Sequence, residues 1–199
     1  MGSITASQVQ ELRQQTGVGM MECKRALEEA DGDIDRAVEL LRLRGQAKAA
    51  RRASRVANEG RVEAYIHLGG KIGVLIEIDC ETDFVAKTDD FRELARTLAM
   101  QVAATSPLAV RREELDPEVV ESETAIYRQQ AEESGKPAEI VEKIAQGRLD
   151  KWYQEVCLLE QAFVKDPDRK VSDVVTEAVQ RLGENIVVRR FVRFEVGGE

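Results

Sequence analysis

At Gly60 the spacing of apolar residues changes from three-and-four to two, which excludes an all-helical fold and an all-strand fold alike. Upstream, the apolar positions fall at helical intervals: Val9 and Leu12, then Met20, Cys23, Leu27 and Ala30, then Ile34, Ala37, Leu40 and Leu41. Thr5 followed by Gln8 makes a capping box, with Ile4 and Val9 at the staple positions around it. "TGVG" breaks the first helix, and Asp33 stands where a cap for the third belongs. The pattern predicts three helices of about ten residues each, with Gly45 and an Ala-rich basic run leading out of them.

Downstream of Gly60, Val62, Ala64, Ile66 and Leu68 alternate with Arg61, Glu63, Tyr65 and His67, which predicts a strand burying the first set. Gly69-Gly70 reads as a two-residue hairpin, returning into a strand over Ile72–Cys80 that buries Ile72, Val74, Ile76 and Ile78. A helix carrying Phe91, Leu94, Leu98 and Val102 follows. Pro107, Pro117, Pro137 and Pro167 fall between helical patterns, and "ENIVVRRFVRFEV" near the C-terminus reads as another strand. The order predicts an α+β fold. Residues 1–55 form a three-helix bundle with a basic linker, and residues 56–199 an α+β core with a small antiparallel sheet and packed helices.

The chain of 199 residues is acidic, with a formal charge of −8. No apolar stretch approaches the roughly 20 residues that span a bilayer. "MGSITAS" lacks the hydrophobic core of a signal peptide. Cys23, Cys80 and Cys157 are odd in number and widely spaced, as buried thiols in a reducing compartment are, so a cytoplasmic protein is expected. Between Arg42 and Arg61 seven basic residues face Glu59 alone. Such a run serves as a solvated helical linker, or it contacts nucleic acid or an acidic partner. Stacking on nucleic acid needs interleaved aromatics, and this run has none.

The sequence offers no catalytic constellation. Gly70-Lys71 has Tyr65 where a phosphate-binding loop requires glycine, and Ile72 where it requires Ser or Thr. His67 is the single histidine, the cysteines are scattered, and no metal set or cofactor site emerges. These features point to a protein that acts by binding, not to an enzyme. One stretch then stands out: "CETDFVAK", residues 80–87, places Asp83 and Phe84 side by side where a strand gives out. An aromatic at a strand end usually belongs to the core.

Four stretches give that motif a context. "LRQQTGVGMMECKRAL" (Leu12 to Leu27) and "EIDCETDFVAK" (Glu77 to Lys87) closely resemble the two signatures of the elongation factor Ts family. "SGKPAEIVEKIAQGR" (Ser134 to Arg148) and "FVRFEVGG" (Phe191 to Gly198) are similar to it as well. The resemblance implies a guanine-nucleotide exchange factor for elongation factor Tu with a ubiquitin-associated-like N-terminal bundle. It implies that Thr82, Asp83, Phe84 and Val85 enter the partner's nucleotide-binding domain and disturb the Mg²⁺ site that holds GDP, Phe84 as a wedge and Asp83 as a polar anchor. Arg13, Met20 and Met21 are expected to face the same domain; two adjacent methionines cannot both turn inward on one helix. Arg52 matches a position that is usually basic. Thr97 and Gln101 stand where the family often has histidines, one of them a partner contact, so Gln101 is the expected substitute. Longer members carry two related α/β halves and short ones form homodimers. With sequence for about one half, this chain is expected to pair through Ile186 to Val196. A nucleic-acid adaptor and a ubiquitin-associated-type adaptor are the competing readings.

Overall fold

A computed structural model describes residues 4–133 and 135–198. Three helices open the chain: α1 (Ala6–Thr16), α2 (Met20–Glu29) and α3 (Ile34–Arg52). The hairpin β1 (Glu59–Ile66) and β2 (Ile72–Cys80) leads to a single helical turn, α4 (Asp83–Ala86), and to α5 (Asp89–Thr105). A helical pair follows, α6 (Pro117–Glu132) and α7 (Ala138–Val156), flanked by 3-10 turns at Arg112–Glu114 and Leu158–Glu160. The chain ends in a short ribbon, β3 (Ala162–Phe163) with β4 (Asp166–Lys170), then α8 (Val171–Leu182) and β5 (Val187–Glu195). The α+β class is as the sequence predicts. Two compact units emerge: one holds the chain up to Arg61 with Asp79–Leu94 and Asp173–Val187, the other Val62–Ile78, Ala95–Ser172 and the chain from Val188.

In the first unit, α1, α2 and α3 close over Val9, Leu12, Cys23, Ala26, Leu27, Ala37 and Leu41. The Thr5–Gln8 capping box is present, and the Asp33 side chain accepts from the Arg36 N–H. Gly17 ends α1 with a φ of 67°, a left-handed conformation in which any side chain is strained. Helix α3 is longer than the sequence predicts. It continues through Gly45 into the basic run as far as Arg52. Gly45 does not end the bundle. It lets α3 approach the Gln180 side chain of α8 so closely that a Cβ would collide with it.

The larger sheet has the strand order β1-β2-β5. The hairpin loop is longer than Gly69-Gly70 alone. The His67 N–H donates to the Ile72 carbonyl at 2.9 Å, and both glycines take positive φ between them. On β2, Val74, Ile76 and Ile78 are buried as expected. On β1 the expected faces are exchanged. Val62 and Ile66 are 61% and 67% exposed, while Arg61, Glu63 and Tyr65 are half-buried. Alternation separates two faces of a strand without saying which one is covered. Ile66 lies beside Gly73, and Arg190 pairs with Glu77 at 2.5 Å, so the open side of all three strands is one surface. It carries Val62, Ile66, Leu75, Val192 and Phe194, every one exposed.

Candidate partner-binding site

Strand β2 buries Asp79 and Cys80 and then stops. Thr82 caps the turn that follows, its hydroxyl oxygen accepting from the Val85 N–H at 3.4 Å. Four residues complete one turn. Thr88 stands directly before the next helix, and its Oγ1 donates to the Val85 carbonyl at 2.7 Å and accepts from the Phe91 N–H at 3.3 Å. Successive helical residues are rotated by about 100°, so residues two apart point to nearly opposite sides. Ala86 is buried, and Phe84 is thereby turned outward with 80% of its surface exposed. Asp83 pairs with Lys87 at 2.6 Å on the surface.

What anchors the turn is a carboxylate that local sequence patterns did not single out. Glu184 accepts from the Glu81 and Thr82 N–H groups, each at 3.0 Å, and from the Thr82 hydroxyl at 2.6 Å. Glu81 reaches back to accept from the Asn185 N–H at 2.7 Å and pairs with Arg55 at 3.4 Å. The Asn185 amide donates to the Arg55 carbonyl at 2.8 Å. From below, the Cys80 thiol donates to the Thr82 carbonyl at 3.1 Å. Burial, with the nearby charge of Glu184 adding to it, pushes this thiol up to about 11. The only sequence signal for Glu184 is its place directly after Gly183, which leaves α8 with a φ of 81°.

The same compact unit holds the N-terminal bundle. There Arg13 is exposed on α1, and Met20 and Met21 are 43% and 65% exposed at the start of α2. Cys23, Ala26 and Leu27 fill the inward face of that helix, so the methionines are surplus to its packing. Arg52 is half-buried and donates to the Val179 carbonyl at 3.1 Å. Other members of the basic run are also engaged. Arg42 pairs with Asp173, Arg44 with Glu29 and Lys48 with Glu22.

Gln101 departs from its expected role. It is completely buried, its amide donating to Gln161 Oε1 and the Ala162 carbonyl at 3.1 Å each and accepting from the Val164 N–H at 2.8 Å. Thr97, also buried, accepts from Lys165 at 3.0 Å. These two positions tie α5 to the β3–β4 ribbon, and a side chain without accessible surface makes no contact with a partner.

Comparison with known proteins places this architecture. The family model described as Elongation factor TS matches residues 35–198. Elongation factor Ts of Carboxydothermus hydrogenoformans is 60% identical over 98% of this chain and 89% of its own length. That of Moorella thermoacetica is 60% identical over 98% of this chain and 96% of its own. The chain belongs to the elongation factor Ts family. Elongation factor Ts of Herpetosiphon aurantiacus, 57% identical, is matched over 98% of this chain and 98% of its own length. Among the described residues of this chain, no group of His, Cys, Asp or Glu could hold a metal ion. No helix among them is long and apolar enough to cross a membrane.

Proposed function

We propose that the chain is a guanine-nucleotide exchange factor for elongation factor Tu, acting in the cytoplasm by binding alone and not as an enzyme. The observation that carries this reading is Phe84, a large apolar ring held in water on a turn whose backbone is fixed from the neighbouring segment. Thr82, Asp83, Phe84 and Val85 enter the nucleotide-binding domain of Tu and disturb the Mg²⁺ site that holds GDP. The ring is the wedge, and Thr82 orients it through its cap and its bonds to Glu184.

An exchange factor drives nucleotide out by binding the empty partner more tightly than the loaded one, and linkage makes the two preferences equal. A thousandfold loss of GDP affinity corresponds to about 4 kcal/mol. Fully burying one Phe side chain contributes about 1.5–3 kcal/mol, part of which serves attachment. A second contact is required, and Arg13, Met20 and Met21 supply it from the bundle. Methionine suits such a surface because its unbranched side chain adapts to a partner's contours. Residues 1–55 thus act as the partner-binding part, and residues 56–199 as the core that carries the wedge and pairs two chains. Arg52 and Gln101 contribute indirectly, by holding α8 and α5 in place.

The open sheet face supports the homodimer. A contiguous row of exposed Val62, Ile66, Leu75, Val192 and Phe194 is what a two-fold interface covers. The exchange reading is tested by release of fluorescent GDP from Tu. Phe84→Ala is expected to lose most of the acceleration with an unchanged circular dichroism spectrum; full acceleration by the variant overturns the role of the ring.

A further inference from the structure

We propose that Glu184 is a positioning residue for nucleotide exchange: its carboxylate clasps the Thr82–Phe84 turn and sets the direction of the exposed ring. The inference rests on the reading of Phe84 as the wedge.

The element that presents the ring is weak by itself. A helix of one turn gains one or two internal hydrogen bonds and loses the conformational freedom of every residue it fixes, so it has no stability of its own. Helix α4 spans Asp83–Ala86 and must be held from outside. At the end of β2 the backbone N–H groups of Glu81 and Thr82 need acceptors, and Glu184 Oε2 takes both at 3.0 Å. Its second oxygen, Oε1, accepts the Thr82 hydroxyl at 2.6 Å. A carboxylate gripping three donors fixes the backbone two residues before Phe84, and charge-assisted bonds of this kind are stronger than neutral ones.

The grip is reciprocal. The Glu81 carboxylate accepts from the Asn185 N–H at 2.7 Å, so each segment caps the other. Glu81 also pairs with Arg55, and the Asn185 amide holds the Arg55 carbonyl, just past the end of α3. The clasp therefore joins the turn bearing the wedge to the helix that continues from the bundle. Two contacts displace a nucleotide together only if their spacing is set in advance; ordering them on binding subtracts from the preference for the empty partner. Without the Glu184 carboxylate, Phe84 is still exposed but no longer aimed.

The test uses the full chain, Tu loaded with fluorescent GDP, and Glu184→Ala and Phe84→Ala singly and combined. Release is measured over a range of factor concentrations. Glu184→Ala is expected to lower the maximal rate about tenfold, equivalent to about 1.4 kcal/mol. The half-saturating concentration changes little, because the bundle contact survives. In the Phe84→Ala background the same substitution is expected to cost nothing further, since there is no ring left to aim. Thr82→Val, which removes one donor to Glu184 together with the cap on the Val85 N–H, is expected to lower the maximal rate in part, and Thr82→Ser, which keeps the hydroxyl, to restore it. If Glu184→Ala does not fold, the Thr82 pair decides. A full maximal rate for Glu184→Ala alongside an impaired Phe84→Ala overturns the clasp. So does an equal loss from Glu184→Ala in both backgrounds, which is the mark of general destabilisation. If Phe84→Ala itself keeps full activity, the reading of the ring fails first and the clasp falls with it.

Discussion

Phe84 and Gln101 are opposite cases of a side chain out of its usual place. An aromatic ring stands in water because Ala86, two residues on, takes the inward side of the same turn. An amide sits in the core because every one of its polar atoms has a partner there. Gln101→Leu removes the acceptor of the Val164 N–H along with two bonds donated by the amide. It is expected to destabilise the chain by about 2–4 kcal/mol in urea unfolding. Gln101→His keeps one donor and one acceptor and costs less; equal stability of Gln101→Leu and the parent contradicts the structural role. The cysteines carry a prediction in pH. Burial pushes the Cys80 and Cys157 thiols up to about 11, with Glu184 adding at the first and Glu160 at the second. The unfolded thiols ionise near the ordinary value of 9.0, so their stabilising contribution is intact below that pH and is lost as pH rises through 11. The Tm is expected to fall over that window, and less steeply after Cys80→Ala and Cys157→Ala; an identical slope contradicts the assignment.

At the scale of elements, the basic run shows how much a sequence pattern leaves open. Its charge is plain from Arg42 onward, yet what it contacts is decided by acidic residues of other helices. Glu22 and Glu29 lie on α2, and Asp173 lies on α8. As far as Arg52 the run is helix, and its Arg42, Arg44, Lys48 and Arg52 are engaged within its own unit, which weakens the nucleic-acid reading. Strand β1 is similar. Its alternation was legible, but the exposed face is the apolar one because Arg61, Glu63 and Tyr65 take the covered side. Such a face predicts pairing. Light scattering after size exclusion is expected to give twice the 22.2 kDa of one chain, and Phe194→Glu to reduce it to a monomer. A monomeric parent at micromolar concentration contradicts the pairing.

At the scale of the whole molecule, the sequence shows what is local and hides what is distant. The capping box, the helix over Phe91 to Val102 and the last strand follow from residues a few positions apart. The exposed methionines follow from adjacency on one helix. The clasp does not, because Glu184 lies about a hundred residues from Thr82 and only the folded chain brings them together. The account needs both parts: a wedge that a fixed backbone presents, and a second contact on the bundle that keeps it engaged while GDP leaves. Its central claim is a difference in affinity, and equilibrium titration of the chain against nucleotide-free and GDP-loaded Tu measures that difference directly. The account predicts binding to the empty form about a thousandfold tighter, the factor that corresponds to about 4 kcal/mol. Equal affinity for the two forms contradicts it.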